Sequence, residues 1–445
     1  MLRNLSCSIR PSRCSSYTFL KLPRRSLHSS VRNATFTSFF FHNGQWLSPA
    51  NGGLPPSSPS LLHSRKGKTS TLTLDARARM LELARQPIPI SSTPLDISAY
   101  KPIEKLTTGK LLKVYNQLAK SNLTILVVLT SMSSVALSPY PTTIPVLLAT
   151  ALGTVLCSAS ANTLNQLQEV PFDAQMARTR MRPFVRRAIT PLHGAGFALV
   201  TGIAGPALLW TMTNATTACL GLANIVLYAG VYTWMKRRTI WNTWVGAIVG
   251  GIPPLMGWTA TGGRLLPETW SLDAFPVVLP PFLQDVAQHP LTAATLDNPL
   301  APFAFFMFLF SWQFFHFMPL SHLVRSSYAQ AGYQMLSVFN PRKNALVALR
   351  HTALLIPICS LLFPLSGLTT WWFALSSLPA NILCTRAAWA FWRKGGEKEA
   401  RTLFQHSLWY LPVVMGLMMF HKQGMEWLEW LGLKEKKEEE PQNVS

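Results

Sequence analysis

Acidic residues are scarce in this sequence. Its 445 residues include 18 Asp and Glu against 40 Lys and Arg, which gives a formal net charge of +22. A nucleic-acid-binding protein would concentrate this surplus on one water-soluble face, but here the basic residues are spread between apolar segments, so nucleic acid is excluded as a partner. Because only 13% of the residues are charged and 49% are hydrophobic, the composition excludes a typical soluble domain and predicts a polytopic membrane protein.

Cysteines are also few, and they are scattered. The chain has no Cys-x-x-Cys pair and no cysteine with a histidine at zinc-ligand spacing among its six cysteines, which are Cys7, Cys14, Cys157, Cys219, Cys359 and Cys384. This spacing excludes a zinc site or a disulfide framework as the organising element of the fold.

The first 74 residues contain no Asp or Glu, and their arginines are interleaved with serines. This composition is typical of a mitochondrial transit peptide, which we assign to residues 1–42; a basic tail of a bacterial protein is the alternative. Residues 43–100 are predicted to be a disordered linker rich in Gly, Pro and Ser, followed by a short amphipathic segment. Residues 423–445 are predicted to form a solvated, charged tail.

Beyond Lys120, nine apolar segments are long enough to cross a bilayer, which requires about 20 residues each. They are residues 121–139, 142–163, 190–211, 215–235, 243–262, 301–321, 348–367, 369–391 and 404–421. The sequence therefore predicts an all-α polytopic membrane protein, with about nine transmembrane helices around a central cavity, in a membrane domain of residues 101–422.

Basic residues occur in alternate loops between these segments. The loops after the second, fourth, sixth and eighth segments carry Arg178, Arg180, Arg182, Arg186, Arg187, Lys236, Arg237, Arg238, Arg325, Arg342, Lys343, Arg393, Lys394, Lys398 and Arg401. The other four loops together carry one basic residue, Arg264, and the longest of them, residues 263–300, is predicted to be a lid or an insertion without chemistry. Since cytoplasm-like compartments retain Lys and Arg, the basic loops are predicted to face the matrix across the mitochondrial inner membrane.

The segment from Asn162 to Arg187 combines the two kinds of charge. Asn165, Glu169 and Asp173 follow one another at intervals of four residues, so on a helix their oxygen atoms point the same way, and five of the arginines listed above follow directly. Carboxylate and amide oxygens hold Mg²⁺, and guanidinium groups hold phosphate oxygens, so the segment predicts a site for a metal-bridged polyphosphate on the matrix side.

A simpler interpretation is that the two acids only pair with the arginines on a solvated loop. Between Glu104 and Glu397, however, the chain has six acidic residues, and four of them lie in the single loop 263–300. Glu169 and Asp173 are therefore the only acids at the edge of a very apolar region, where an ionisable group is by default a functional candidate.

The segment around these residues resembles the signature of the haem branch of the UbiA family of intramembrane prenyltransferases; it reads NQLQEVPFDAQMARTRMRP. The family pattern N-x-x-x-D/E-x-x-x-D is matched by Asn165, Glu169 and Asp173, and the branch pattern M-x-R-T-x-x-R-P by Met176, Arg178, Thr179, Arg182 and Pro183. The stretches Tyr232–Trp258 and Phe310–Phe317 resemble the same branch, and the likeness extends from about residue 100 to about residue 420.

The resemblance implies transfer of the farnesyl group of farnesyl diphosphate to a vinyl group of haem b, giving haem O, a step in haem A synthesis for cytochrome c oxidase. It implies that Asn165, Glu169 and Asp173 anchor Mg²⁺ and that Lys236 joins them in the catalytic set. Arg178, Arg182, Lys236 and Arg325 are the candidates for binding diphosphate. A homo-oligomer and a partner in haem A synthesis are both compatible with the sequence.

His316 and the aromatic run around it could also serve the reaction. His316 is a candidate haem contact, with a hydrogen-bonded structural histidine as the alternative. The aromatic residues from Phe303 to Phe317 could line a groove for the prenyl chain, but we expect most of them to face lipid or neighbouring helices.

One departure from the family concerns a second acidic motif. Family members usually carry acids just ahead of a segment like Tyr328–Leu336, and here Ser326 and Ser327 stand in that place. The serines leave open a catalytically weakened member that acts as a haem-binding assembly component, and another intramembrane aromatic prenyltransferase remains an alternative.

A transporter is an alternative of another class. It should show broken helices in repeated halves around a midplane site, whereas the acids here lie at a helix end beside arginines.

Overall fold

The computed structural model describes residues 107–267, 277–280 and 298–425. The predicted transit peptide, the linker with its amphipathic segment, most of the long loop and the charged tail lie outside these residues. The described residues form helices that we number α1 Thr108–Leu118, α2 Ser121–Leu137, α3 Ile144–Asp173, α4 Pro191–Met212, α5 Ala215–Met235, α6 Asn242–Ala260, α7 Leu300–Leu323, α8 Arg325–Gln330, α9 Leu336–Phe339, α10 Pro341–Leu365, α11 Trp372–Lys394 and α12 Glu397–Phe420. Within these ranges the only β-structure is an isolated bridge between Thr369 and Lys422.

Local signals set several helix boundaries. The side chains of Thr190, Asn214 and Asn340 each accept a hydrogen bond from a backbone N–H in the first turn of α4, α5 and α10, which satisfies a donor that the helix itself leaves unpaired. At the end of α11, Gly395 takes a positive φ of 64°, a conformation that glycine adopts without steric penalty.

The predicted all-α membrane architecture is confirmed, whereas the count of nine spans stays a prediction. All nine predicted spans fall on helices of the described chain, and six of these helices, α3, α4, α5, α7, α10 and α12, are long and apolar enough to cross a membrane. The pair α1 and α2, bent by 55°, would make a seventh. The two others are less apolar, because α6 is rich in Gly, Pro and Thr and α11 ends in Arg393 and Lys394.

The helix α3 extends ten residues beyond the predicted membrane span, which ends at residue 163. It runs on through Pro171 to Asp173, so that the acidic motif forms its last turns, in agreement with the helical spacing of its residues. Proline inside a helix removes one backbone hydrogen bond, and neighbouring helices make this tolerable in a bundle. The consequence is that the three candidate ligands are carried by one rigid element.

Hydrogen bonds between loops identify the two ends of the bundle. At one end, which we call the basic end, the loops that follow α3, α5, α7 and α11 meet; for example, Gln334 N donates to Lys236 O at 2.8 Å. At the other end, Ser138 Oγ lies 2.9 Å from Thr261 Oγ1, and Thr370 N donates to His421 O at 2.8 Å. All basic residues assigned to the alternate loops lie toward the basic end. The other end carries Arg264 and also Lys422, which follows the last predicted span.

The aromatic run of α7 lies in the protein core. Phe305, Phe308, Phe314 and Phe315 are at most 4% exposed, and Phe315 packs edge-on against Tyr410 of α12 with ring centroids 5.3 Å apart. The expectation that most of this run packs against neighbouring helices therefore agrees with the structure, while a groove-lining role has no support in these contacts.

Close packing of small residues fixes α3 against α4. A Cβ atom added at Gly205 of α4 would come within 2.8 Å of Cys157 Sγ and 3.0 Å of its backbone N, so no larger residue fits there without displacing α3. Helices in membranes associate through such small residues, because lipid offers little hydrophobic driving force. This contact sets the position of the helix that carries the acidic motif.

The predicted orientation can be tested by cysteine labelling. Gly263 is unsuitable, because a Cβ at this position would come within 2.5 Å of the Trp258 ring. Leu266 and Met181 are 66% and 69% exposed and lie at opposite ends of the bundle. In a Cys219→Ser background, we expect a membrane-impermeant maleimide to label Leu266→Cys in mitoplasts and Met181→Cys only after the inner membrane is opened. The reverse order would contradict the matrix-facing assignment.

Candidate functional site

The last three turns of α3 bury a set of oxygen atoms. Asn165, Glu169 and Asp173 are 1%, 3% and 2% exposed, and their spacing of four residues places them on one face of the helix. We call these three residues the oxygen triad. Their burial places two carboxylates where an isolated charge would be very unfavourable, so each requires a partner.

Each member of the oxygen triad contacts a different cation. Lys236 Nζ lies 2.7 Å from Glu169 Oε1, and Arg182 Nη1 lies 2.5 Å from Asp173 Oδ2 and 3.7 Å from Glu169 Oε2. Lys120 Nζ donates to Asn165 Oδ1 at 3.0 Å. The three cations come from separate parts of the chain, namely the α1–α2 break, the loop after α3 and the end of α5.

The amide of Asn165 is oriented by two further contacts. Its Nδ2 donates to Thr233 Oγ1 at 3.0 Å, and Thr233 Oγ1 donates in turn to the Tyr228 carbonyl at 2.8 Å. The amide oxygen therefore points at Lys120, whose Nζ also lies 3.3 Å from the Tyr228 hydroxyl. Lys120 itself has a positive φ of 49°, which is uncommon for a residue other than glycine.

Aromatic rings surround the cation at the end of α5. The Nζ atom of Lys236 lies 4.5 Å from the Tyr232 ring centroid and 5.9 Å from that of Tyr333, and Tyr228 stacks on Tyr232 at 5.4 Å. Tyr228 and Tyr232 belong to the π-helical segment Val226–Tyr232 of α5, a feature often found at functional sites. The rings exclude water from one side of the ion pair.

Burial and the neighbouring charges act in opposite directions on the pKa of Lys236. Burial alone would lower the pKa of this lysine, but the Glu169 carboxylate and the surrounding tyrosines raise its pKa well above the usual value. Burial, reinforced by the Glu169 charge, raises the pKa of the Tyr333 hydroxyl. At neutral pH the lysine is therefore charged and Tyr333 is a neutral hydrogen-bonding group.

The loop after α3 determines which arginine meets the acids. Thr179 Oγ1 donates to the Asp173 carbonyl at 2.9 Å, and this bond curls the loop so that Arg182 returns to Asp173. Arg178 is exposed and forms no salt bridge with a described residue. Of the two loop arginines predicted to bind diphosphate, the structure thus brings Arg182 to the triad and leaves Arg178 at the surface.

The segment that carries Ser326 and Ser327, where the family's second acidic motif is expected, lies next to the site. Tyr328 and Tyr333, which flank the end of α8, form a buried cluster with Met176 from the loop after α3. Ser326 and Ser327 occupy the first turn of α8. Arg325, predicted to bind diphosphate, instead lies 3.3 Å from His322 Nε2 and makes no described salt bridge to the oxygen triad.

His316 is held away from the oxygen triad. Its Nδ1 lies 2.8 Å from Ser407 Oγ of α12, and its ring stacks on Trp312 with centroids 5.0 Å apart. These contacts are those of the alternative role, a hydrogen-bonded structural histidine. They join α7 to α12, and the haem-contact role stays a prediction without a described contact to support it.

The chemistry of the oxygen triad fits a hard divalent cation. Two carboxylates and one amide oxygen are the ligand types that Mg²⁺ prefers, and Mg²⁺ characteristically completes its shell with water and substrate phosphate. In the described ranges, no group of three or more His, Cys, Asp or Glu residues that could hold a metal ion occurs.

Sequence reasoning missed Lys120, Tyr228, Tyr232 and Tyr333 as site residues. Lys120 carried a usable signal, because it is a single lysine at the start of an apolar run and a charge at that position needs a partner. The tyrosines carried no such signal, since aromatic residues are common in membrane helices. The packing of α5 against α3 brings Tyr228 and Tyr232 to the site, and Tyr333 reaches it from the segment between α8 and α9.

Comparison with known proteins agrees with this architecture. A sequence model of the UbiA prenyltransferase family matches residues 126–409. A Gibberella zeae protein named protoheme IX farnesyltransferase, mitochondrial, is 41% identical over 358 residues, which cover 78% of this chain and 67% of that protein. A Neurospora crassa protein of the same name is 40% identical over 393 residues, covering 84% and 72%. The solved structure of a digeranylgeranylglyceryl phosphate synthase matches 70% of this chain and 98% of its own with a TM-score of 0.55 and 13% identity, a likeness of fold alone.

The fold and the site together define a polytopic α-helical membrane enzyme. Since the family match spans more than half of the chain and the relatives are about 40% identical over most of their length, the chain belongs to the UbiA prenyltransferase family.

Proposed function

We propose that this chain transfers the farnesyl group of farnesyl diphosphate to a vinyl group of protohaem IX, giving haem O, in the mitochondrial inner membrane with its site toward the matrix. The observation that carries the proposal is the buried oxygen triad with one cation on each member, at the basic end of a membrane bundle. The mitochondrial relatives named protoheme IX farnesyltransferase supply the substrate pair.

The cations of the site serve the leaving group. When the allylic C–O bond breaks, its electron pair moves onto the diphosphate, and negative charge develops where Lys236, Arg182 and Lys120 already converge. Preorganised charges of this kind stabilise a transition state without reorganisation at the moment of reaction. A Mg²⁺ ion bound by Asn165, Glu169 and Asp173 would add charge neutralisation at the phosphate oxygens.

The acceptor step completes the reaction. The π electrons of the vinyl group form a new C–C bond to the farnesyl carbocation, which leaves a positive charge on the vinyl carbon next to the porphyrin ring. A water molecule adds there and loses a proton, so the product carries a hydroxyethylfarnesyl group. In this proposal the rings of Tyr228, Tyr232 and Tyr333, which pack around Lys236 and one another, exclude other water, which would otherwise capture the carbocation before it meets the vinyl group.

Reconstitution of the purified protein tests the proposal. The protein in nanodiscs is incubated with Mg²⁺, farnesyl diphosphate and haem b, and extracted haem is analysed by mass spectrometry for haem O. In parallel, a phenolic aromatic acceptor replaces haem b. We expect product from haem b alone. Product from the phenolic acceptor alone would instead support another aromatic prenyltransferase, and haem binding without product would support an assembly component.

The serines of α8 yield a separate prediction. A neutral hydroxyl is a weak Mg²⁺ ligand compared with a carboxylate, so Ser326→Glu with Ser327→Asp should lower the Mg²⁺ concentration for half-maximal activity and raise turnover. Ala329→Glu with Gln330→Glu is the matched control, because it adds two charges at exposed positions of the same helix. Equal Mg²⁺ curves for the natural chain and the first variant would show that α8 is not a metal site.

A further inference from the structure

A second site lies at the basic end of the bundle. A cavity of about 410 Å³ is enclosed by the end of α7, the start of α10 and the end of α11. Its polar lining consists of His322, Arg342, Arg393 and Lys394, and Trp392 forms part of the apolar lining. None of its lining residues is acidic, and none belongs to the oxygen triad or to the cations that contact it.

The buried histidine of this cavity has an unmet hydrogen-bonding atom. His322 is 2% exposed, and in the described part of the chain its Nδ1 has no hydrogen-bond partner. Its other ring nitrogen lies 3.3 Å from Arg325 Nη1, and its ring packs edge-on against Phe391. A buried polar atom without a partner lowers stability unless a ligand or water supplies one.

The positive charge of the cavity is only partly balanced. Lys394 lies 3.6 Å from Glu399 Oε1, whereas Arg342 and Arg393 are exposed and form no salt bridge with a described residue. The cavity also receives the N-terminus of α10, whose helix dipole adds positive potential. The site therefore has the electrostatic character and the donors that a phosphate or carboxylate requires.

The surroundings of the cavity favour a lipid. Trp392 lines it, and Trp389, one turn earlier on α11, is 52% exposed. Tryptophan is enriched where membrane meets water, and basic pockets between helix ends at this depth bind the headgroups of anionic lipids. A volume of about 410 Å³ is suitable for a headgroup, and the exposed face of α11 offers apolar surface to acyl chains.

We propose that this cavity binds the phosphate headgroup of an anionic phospholipid from the surrounding membrane. Arg342 and Arg393 bind the phosphate oxygens, and His322 supplies a buried hydrogen bond. The proposal is independent of the farnesyl transfer reaction, because it shares no residue with the oxygen triad and its test measures lipid binding.

The test compares lipid binding by three forms of the full chain. The natural chain, Arg342→Gln with Arg393→Gln, and Lys398→Gln with Arg401→Gln are each placed in nanodiscs of phosphatidylcholine with or without one-fifth cardiolipin. The last form is the matched control, since it loses two exposed charges from the same end outside the cavity. Retained cardiolipin is counted by native mass spectrometry, and the melting temperature is recorded in each nanodisc.

We expect cardiolipin to be retained and to raise the melting temperature of the natural chain and the control. The Arg342 and Arg393 variant should bind it roughly 30-fold more weakly, since each basic residue near an anionic headgroup is worth about a fivefold change in affinity. Equal losses in both variants would overturn the proposal in favour of general surface charge. If millimolar inorganic phosphate or diphosphate stabilises the natural chain in pure phosphatidylcholine through the same two arginines, the ligand is a soluble anion and the lipid assignment is wrong.

Discussion

Asp173→Asn should reduce haem O formation by roughly 10³-fold, which is the effect expected when a preorganised charge is removed from a water-poor site. Asp173 holds Arg182 at 2.5 Å and supplies one of the two buried carboxylates of the oxygen triad. The amide keeps the shape of the side chain but removes the charge that would hold Mg²⁺. The measurement is turnover of the purified variant with farnesyl diphosphate and haem b.

The control for this variant is Glu399→Gln. Glu399 lies at the same end of the bundle and pairs with Lys394 at 3.6 Å, outside the oxygen triad. Its loss should change turnover less than twofold, because the Lys394 side chain is 70% exposed and ion pairs at the surface contribute little. If Asp173→Asn keeps normal turnover at saturating Mg²⁺, or if both variants lose activity alike, the assignment of the triad as the metal site is wrong.

Lys236→Gln should lower kcat/KM by roughly 10²-fold and also destabilise the protein. Its partner Glu169 has a side chain that is 4% exposed, and breaking the pair leaves this buried carboxylate with only the longer 3.7 Å contact to Arg182, at a cost of about 3 kcal/mol. The double variant Glu169→Gln with Lys236→Gln removes both charges. We expect the double variant to recover most of the lost melting temperature while staying inactive.

Comparison of the single and double variants distinguishes a structural role of the ion pair from a catalytic one. If the double variant recovers activity together with stability, the ion pair is structural only. Because the pKa of Lys236 is raised in the folded protein, its contribution to stability is complete below the unfolded pKa and is lost as pH rises through the folded value. The melting temperature difference between natural chain and variant should therefore shrink once the pH rises above about 10.4, the unfolded pKa of lysine.

The parts of the structure that depend on local pattern could be predicted from the sequence. Apolar length predicted the helices, and the four-residue spacing of Asn165, Glu169 and Asp173 predicted their common face. The sequence could not predict which arginine reaches the acids, because Arg178 and Arg182 are the same residue type in the same loop. The hydrogen bond from Thr179 to the Asp173 carbonyl sets the loop conformation that brings Arg182 to the acids. Lys120 and the tyrosines of α5 meet the triad through tertiary packing, which sequence spacing does not encode.

The predicted membrane span on α3 ends ten residues before the helix does, also because of tertiary contacts. Hydropathy falls off after residue 163, where Asn, Gln and Glu begin, so an apolarity criterion ends the span there. The helix continues because these polar side chains form hydrogen bonds to other helices; for example, the buried Gln166 Nε2 donates to the Leu118 carbonyl at 2.8 Å, and the Nε2 of the exposed Gln168 donates to the Ala229 carbonyl at 2.9 Å. Satisfied polar groups extend a membrane helix as well as apolar groups do.

The cations that contact the oxygen triad limit how many Mg²⁺ ions the site can bind, because the charges of protein, substrate and metal must nearly cancel. Arg182 and Lys236 balance Glu169 and Asp173, and Lys120, whose pKa is lowered by burial, adds at most one positive charge. A fully ionised prenyl diphosphate brings about three negative charges, so a single Mg²⁺ brings the assembly close to neutrality and a second would leave it positive. Two carboxylates in place of Ser326 and Ser327 would reverse this balance in favour of two ions. Equilibrium dialysis with a non-reactive farnesyl diphosphate analogue should accordingly find one Mg²⁺ retained per analogue, and two would show that the site tolerates uncompensated charge.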